Sequence, residues 1–390
     1  MEEEFSRFTA AWDITKACNF ACVHCISGAG KRWPVSTICS EDAHRIIRQI
    51  GELGITSLAW SGGEPLLRED LFSIMHHGRK YGVEGYSLVT NGYLIDEQLA
   101  GRMVDAGMTH VQISIDGVDA KANRFLRKGP KDCFARAVEA IGICLKAGLR
   151  VSLGTMLYPG MIGSLDRIYQ LALRLGVDRL RFSAFAPNGR GERAGVRQLF
   201  DFSFEEMTEL LLFLRDRFFE RPGYIMLDTA FSMNPWIGRF SHSEGQDYFF
   251  IDYKGDLFPS TSMERPEYRV GNVLQEPLRE LLHHPALVPP LPAREELSGK
   301  CRECELFDTC RGGSRGIAFM FSGSFLTSPE LCLYHEYRLR GWRLDDVVLS
   351  RMFSPLSDDE LGAVVGMIDR IETVRITGGE APDRTLSPES

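Results

Sequence analysis

"TAAWDITKACNFACVHC", residues 9 to 25, runs a short apolar stretch into three closely spaced cysteines. Residues 9–15 read as a strand, and Cys18, Cys22 and Cys25 follow just beyond its end. Three thiols are one short of a closed tetrahedral site. The same alternation of a short apolar run with an amphipathic stretch repeats to residue 187. Strands are predicted at SLAWSGG (57–63), GYSLVTN (85–91), HVQISID (110–116), RVSLGTML (150–157) and RLRFSAFA (179–186). SEDAHRIIRQIGELG (40–54) has helical period, with Ser40 as its cap and Ile46, Ile47 and Ile50 as its apolar stripe. EQLAGRMVDAG and CFARAVEAIGICLKAG behave likewise, each ending at a glycine suited to a left-handed cap.

Six strand–helix repeats with right-handed crossovers make a parallel α/β sheet, and a doubly wound open sheet and a barrel-like arrangement both fit. In either, ligands collect at the C-terminal strand ends. SGGEP (61–65), TNG (90–92), SIDG (114–117) and APNGRG (186–191) lie there together with the first cysteines. The informative segments therefore converge on one rim.

A net charge of −8 argues against a general polyanion binder, so no nucleic acid partner is expected. No apolar run approaches the roughly 20 residues that span a bilayer, and MEEEFSRFTA is not a signal peptide. The expectation is a cytoplasmic protein with no membrane partner. Ten cysteines in such a chain point to metal binding or redox chemistry rather than disulfides. Cys301, Cys304, Cys310 and Cys332 form a second group, for which zinc and a four-iron cluster are both chemically permissible. For the first group the alternative to iron–sulfur is zinc completed by His24 or a distant residue. Cys39, Cys133 and Cys144 are dispersed and read as small packing hydrophobes.

C-x3-C-x2-C after the first strand and SGGEPLL after the second resemble the radical S-adenosylmethionine (SAM) superfamily, over residues 9–187. The resemblance implies a partial (β/α)6 TIM-like barrel with a [4Fe-4S] cluster on Cys18, Cys22 and Cys25. It also fills the missing corner, with the amino and carboxylate groups of SAM on the open iron. Reductive cleavage of SAM to a 5′-deoxyadenosyl radical, and hydrogen abstraction from an unactivated carbon, are then expected. Gly62 and Gly63 would let backbone approach the ligand, and Glu64 would accept from the SAM ammonium. Ser114 and Asp116 match contacts to the ribose and carboxylate, and Arg127 matches an arginine that pairs with the carboxylate. Asn91 would support the site, and His24 would line the adenine pocket without binding metal.

CRECELFDTC (301–310) with Cys332 resembles the SPASM/twitch extension of such enzymes, which holds auxiliary clusters. Ser260 and Ser314 replace two cysteines of the full extension, and the one after VGN (270–272) is absent. One auxiliary [4Fe-4S] cluster is therefore expected, on Cys301, Cys304, Cys310 and Cys332. The implied plan is a core at 1–187, a connector at 188–247 with a helix near 204–220, and a small C-terminal iron–sulfur domain at 248–345. The latter opens with a hairpin turning at Lys254-Gly255, and a helix over 357–374 and a disordered tail complete 346–390.

Members with this layout modify ribosomal peptides or peptide-derived cofactor precursors, such as those of mycofactocin and pyrroloquinoline quinone, or remodel tetrapyrroles in haem and d-type haem synthesis. Oxidative modification of a peptide is the first expectation, tetrapyrrole side-chain chemistry the second. A non-catalytic iron–sulfur carrier or scaffold is the reading from another class. The 17 residues before Cys18 leave no room for a leader-binding domain there, so a separate leader-peptide-binding protein is an expected partner, alongside a flavodoxin- or ferredoxin-type electron donor. Arg190, Arg193 and Arg197 on a glycine-rich loop at the rim could meet substrate carboxylates.

Overall fold

Among the described residues the first strand lies near the middle of one ten-stranded sheet. The structure is a computed structural model that describes residues 5–6, 8–221, 223–227, 247–288, 290–328 and 332–341. The strands are β1 (Thr9–Thr15), β2 (Ser57–Gly62), β3 (Gly85–Thr90), β4 (Met108–Ser114), β5 (Arg150–Met156) and β6 (Arg179–Ser183). Four short strands complete the sheet: β7 (Ile225–Leu227), β8 (Tyr248–Ile251), β9 (Asp256–Phe258) and β10 (Gly271–Asn272). The order is β10-β9-β8-β1-β2-β3-β4-β5-β6-β7. Neighbours from β8 through β1 to β7 are parallel, while β8–β9 and β9–β10 are antiparallel. Since β1 and β6 do not pair, the barrel is partial.

The crossovers carry α1 (Ser40–Glu52), α2 (Leu71–Arg79), α3 (Glu97–Asp105), α4 (Ala120–Leu126), α5 (Cys133–Lys146) and α6 (Leu165–Leu175). Then come α7 (Ala194–Arg197), α8 (Phe204–Glu220), α9 (Leu278–Leu282), α10 (Phe307–Cys310), α11 (Arg315–Ser322) and α12 (Leu333–Leu339). The helix expected near 204–220 is α8, closed by a Ser203–Glu206 capping box. The segment expected to be helical over 357–374 and the polar tail lie outside the described residues.

Alternation along each strand sorts the side chains into two faces. Trp12, Trp60, Leu88, Ile113, Leu153 and Phe182 point to the helical layer and are fully buried. The concave face is different. Ser61, Ser87, Gln112, Arg179, Arg181 and Ser183 are only partly buried, whereas a closed barrel packs its interior. Register aligns Gln112 with Ser152 and Arg179, and Ser114 with Gly154 and Arg181. A polar strip therefore runs across β4–β6. On the other side, Ala11, Phe250 and Phe258 form an apolar patch where β1 meets β8.

Two local expectations need correction. Ser40 does not cap α1: Cys39 does, its sulfur accepting from Asp42 N, while Ser40 Oγ donates to Asp70 at 2.6 Å. Cys39 is thus an exposed cap rather than a packed hydrophobe, although Cys133 and Cys144 are buried as expected. The hairpin turn is where it was expected. Gly255 adopts φ +89°, and Asp252 Oδ1 accepts from the N–H groups of Lys254 and Asp256 at 2.8 and 2.9 Å.

The seam between β1 and this hairpin gathers Asp13, Asp252 and Glu264 with Lys16 and Lys254. Burial, helped by the Asp252 charge, pushes the Glu264 carboxyl up to about 7 against 4.5 in an open chain. A carboxyl that holds its proton more tightly when folded costs stability as pH rises through that window. Glu264→Gln should therefore unfold later than wild type in urea at pH 8, by about 1–3 kcal/mol. It should differ little at pH 5; an equal gain at both pH values would contradict this account.

Candidate functional site

The three cysteines stand on a loop with almost no secondary structure, so its backbone groups must find partners elsewhere. Ala21 N donates to Lys128 O at 3.1 Å and Val23 N to Leu126 O at 2.8 Å, tying the loop to the end of α4. Arg190 N reaches Cys25 O at 3.0 Å, Arg190 Nε reaches Cys22 O at 2.6 Å, and its Nη1 donates to Ala29 O. Arg190 therefore clamps the cysteine loop, which corrects its expected role toward substrate; Arg193 and Arg197 are exposed. Gly189, at φ +57°, is required here because a Cβ would sit 2.3 Å from Ile26 O.

Around the sulfurs, Phe20 N donates to Cys18 Sγ at 3.4 Å, Arg127 Nη1 lies 4.0 Å from Cys22 Sγ, and Cys25 Sγ lies 3.5 Å from Ser27 Oγ. Burial pushes the Cys18 thiol up to about 12 and the Cys22 thiol up to about 11. Cys18 also feels the charges of Cys22 and Cys25, and Cys22 that of Cys25. Such a set ionises when a cation takes the place of its protons.

The glycines after β2 pack against this same loop. Gly63 N donates to Thr15 O and Glu64 N to Ala17 O, both at 2.8 Å. A Cβ on Gly62 would lie 2.3 Å from Thr15 O, and one on Gly63 only 1.9 Å from Ala17 O. The close approach these glycines allow is thus to the chain's own backbone. Glu64 is fully buried and joins β2 to β3: Oε1 accepts from Thr90 Oγ1 at 2.8 Å and from Leu66 N at 3.3 Å, and Oε2 accepts from Asn91 N at 2.9 Å. Burial pushes its carboxyl up to about 7. Asn91 Nδ2 in turn donates to Asn19 Oδ1 at 2.7 Å.

At the end of β4 Ser114 is buried, and two residues beyond it Asp116 is fully buried. Asp116 Oδ1 accepts from Met156 N at 2.8 Å, and Oδ2 forms an ion pair with Arg127 Nε at 2.8 Å. The arginine expected to face a ligand carboxylate is thus engaged with Asp116 and directed toward Cys22. His24 Nε2 lies 3.6 Å from Asp116 Oδ2. Burial lowers the imidazole to about 4, so it is neutral at pH 7, and its Nδ1 has no hydrogen-bond partner among the described residues. The structure thus brings Cys18, Cys22, Cys25, His24, Glu64, Asn91, Asp116 and Arg127 into one bonded neighbourhood.

The second group also assembles. Burial raises the Cys310 thiol, and the charges of Cys332, Cys301 and Cys304 raise it further. Cys332 is pushed up to about 12 by burial. Arg311 takes the left-handed conformation at φ +52°, and the buried Arg315 guanidinium draws the loop together. It donates to Phe325 O at 2.8 Å, Thr327 O at 3.0 Å and Gly313 O at 3.3 Å. Ser314 accepts from Ile317 N at 3.1 Å as the cap of α11, and Ser260 shares a 2.8 Å hydrogen bond with Ser262. Sequence reading missed Asn19 and Arg315, and it singled out Arg190 only for a different role. Only the adjacency of Asn19 to Cys18 offered a signal.

A zinc ion needs its ligands about 2.3 Å from one point. Among the described residues no three His, Cys, Asp or Glu side chains converge in that way. A polynuclear cluster, whose irons each take a different thiolate, requires no such point. The donor sets, with the unpartnered buried atoms Asn19 Nδ2 and His24 Nδ1 beside the first, fit that group.

Residues 12–172 match the radical SAM superfamily, and residues 243–305 match SPASM, an iron–sulfur cluster-binding domain. The chain thus carries a radical SAM domain followed by a SPASM domain. The AdoMet-dependent heme synthase of Methanosarcina barkeri is 26% identical over 339 residues, 83% of this chain and 95% of that one. The mycofactocin maturase MftC of Mycolicibacterium smegmatis is 28% identical over 324 residues, 82% of this chain and 80% of that one. A solved structure of anSMEcpe with bound AdoMet shares the fold at TM-score 0.69 and 19% identity, covering 92% of this chain and 98% of that one. Radical SAM and SPASM domains together imply SAM and two [4Fe-4S] clusters.

Gly63→Ala would drive a methyl group into Ala17 O, whereas an added methyl at Gly101 meets nothing within 4 Å. Anaerobically reconstituted G63A should fall from about eight irons per chain toward about four. G101A should stay at the wild-type content. Full iron loading of G63A would mean that the contact does not position the first cysteines.

Proposed function

We propose that the chain is a radical SAM enzyme that oxidatively modifies a ribosomal peptide or a peptide-derived cofactor precursor by C–H abstraction. The observation that carries this reading is the pairing of two assembled thiol groups, one of three and one of four, in a chain similar along most of its length to a mycofactocin maturase. Cys18, Cys22 and Cys25 would hold the SAM-binding [4Fe-4S] cluster. Gly62, Gly63, Glu64, Asn91, Ser114, Asp116, Arg127 and His24 would frame SAM. Cys301, Cys304, Cys310 and Cys332 would hold the auxiliary one. When bound, these groups supply one-electron reductive cleavage of SAM and removal of hydrogen from an unactivated carbon.

The residues' own work is to hold and to shield. Arg190 and the Gly63–Glu64 turn fix the three sulfurs at the rim. Asp116 fixes the Arg127 guanidinium beside Cys22, where its charge favours the thiolate. Four thiolates in the second group leave no iron open to substrate, which supports electron relay there. Among the described residues no helix is long and apolar enough to cross a membrane. We place the protein in the cytoplasm, served by a flavodoxin- or ferredoxin-type donor and, for a peptide substrate, by a separate leader-binding protein.

A second reading, tetrapyrrole side-chain modification, is favoured by the match that spans 95% of a heme synthase. Under dithionite and anaerobic conditions the chain should convert SAM to 5′-deoxyadenosine. Intact SAM, where a control enzyme cleaves it, would favour a non-catalytic iron–sulfur carrier or scaffold instead. Mass loss in a precursor peptide encoded beside the gene supports the first reading, and mass loss in a porphyrin the second.

Cys22→Ala should abolish SAM cleavage. Cys304→Ala should spare cleavage but block product, as read by chromatography of both; loss of cleavage in a folded Cys304→Ala would undo the separate roles.

A further inference from the structure

The orientation of Asn19 is fixed by a chain of hydrogen bonds that begins at an unambiguous donor. Tyr93 N–H donates to the Asn91 side chain at 3.0 Å, so the Asn91 atom facing it is Oδ1. The other end of that amide is therefore Nδ2, which donates to Asn19 at 2.7 Å. The accepting atom of Asn19 must then be Oδ1. A flipped Asn19 would set two NH2 groups against each other. Asn91 is itself held, because its backbone N–H donates to Glu64 Oε2 at 2.9 Å.

This leaves Asn19 Nδ2 turned away from Asn91, buried, with no hydrogen-bond partner among the described residues. The same amide lies against the first cysteine, with Cys18 Sγ 3.8 Å from Asn19 Oδ1. Buried donors are rarely left unmade, and one held so by two other residues points to an acceptor that completes the site. Resting on the cluster assignment of the previous section, we propose that Asn19 Nδ2 donates a hydrogen bond to a sulfur of the cluster held by Cys18, Cys22 and Cys25, and so raises its reduction potential.

The sign follows from charge. Reduction adds an electron to a cluster of thiolates and sulfides, and a donor aimed at sulfur stabilises the more negative state more. Phe20 N–H already does this at Cys18, at 3.4 Å. Asn19 would be a second such donor, delivered by a side chain and held in position by Asn91.

The test is redox titration, followed by electron paramagnetic resonance, of reconstituted protein without SAM. Asn19→Leu, similar in shape but without a donor, should take up the same iron and show a more negative midpoint for the first cluster. The auxiliary cluster should titrate unchanged. Asn91→Ala, which keeps the donor but frees its orientation, should shift the same midpoint less. An unchanged midpoint in iron-loaded Asn19→Leu overturns the proposal, as does an effect confined to SAM affinity, which would make SAM the acceptor. Protein labelled with 15N at asparagine side chains supplies a measurement that needs no variant. Nitrogen hyperfine coupling to the reduced first cluster supports the proposal, and its absence overturns it. Failure of wild type to bind iron at the first cysteines would instead defeat the cluster assignment.

Discussion

Everything at the rim depends on one backbone contact, in which the turn after β2 lies flat against the segment that carries the cysteines. Two hydrogen bonds of 2.8 Å hold it, and both require that residues 62 and 63 have no side chain. The contact couples β1 and β2 beyond the point where their ladder ends. Glu64 then extends the coupling to β3 through Thr90 and Asn91, and Asn91 returns it to Asn19 beside Cys18. The cysteine loop is therefore braced by strand ends rather than by structure of its own. Its sulfurs remain available because none of these bonds uses them.

Irregular loops near thiols present carbonyl oxygens that no ladder satisfies, and this chain meets the problem in the same way three times. Arg68, fully buried, donates to Ile14 O at 3.2 Å and Ile38 O at 3.0 Å while pairing with Asp70 at 2.7 Å. Arg190 serves the first cysteine loop and Arg315 the loop after Cys310. A guanidinium has five donors in a fixed fork and keeps its charge when buried, so one side chain can gather several carbonyls. Near Cys18 and Cys22 the surplus positive charge has a further use. Arg127 and Arg190 lower the cost of ionising Cys22 against the burial that raises it.

The strands were legible because parallel strands buried on their helical face read as short apolar runs, and all six core strands lie close to their expected bounds. The cysteine spacing and the GGE turn were legible because they are local. What escaped the sequence was set by partners far along the chain. Arg190 looked like a substrate contact because its loop lies at the rim, yet its partners Cys22 and Ala29 lie more than 160 residues earlier. Cys39 looked like a small hydrophobe because cysteine so often is one, and only its position before α1 makes it a cap. The parallel pairing of β8 with β1 carried no local sign, since the hairpin announces its turn but not its docking edge.

That docking shapes the concave face of the sheet. With β8 and β9 joined to β1, Ala11, Phe250 and Phe258 form an apolar wall that continues through Tyr268. Tyr268 stacks edge-on with Phe319 and Phe325 at ring-centre distances of 5.3 and 4.7 Å. Across the concave face, β4–β6 present Gln112, Ser152, Arg179 and Arg181, with Arg181 Nη1 donating to Gln112 Oε1 at 3.2 Å. One wall rewards burial of flat apolar surface, and the other rewards acceptors and negative charge. The two edges of the concave face therefore differ in kind, apolar where β8 joins β1 and polar along β4–β6, because the docked hairpin brings aromatic side chains to one edge while the strand register gathers polar ones at the other.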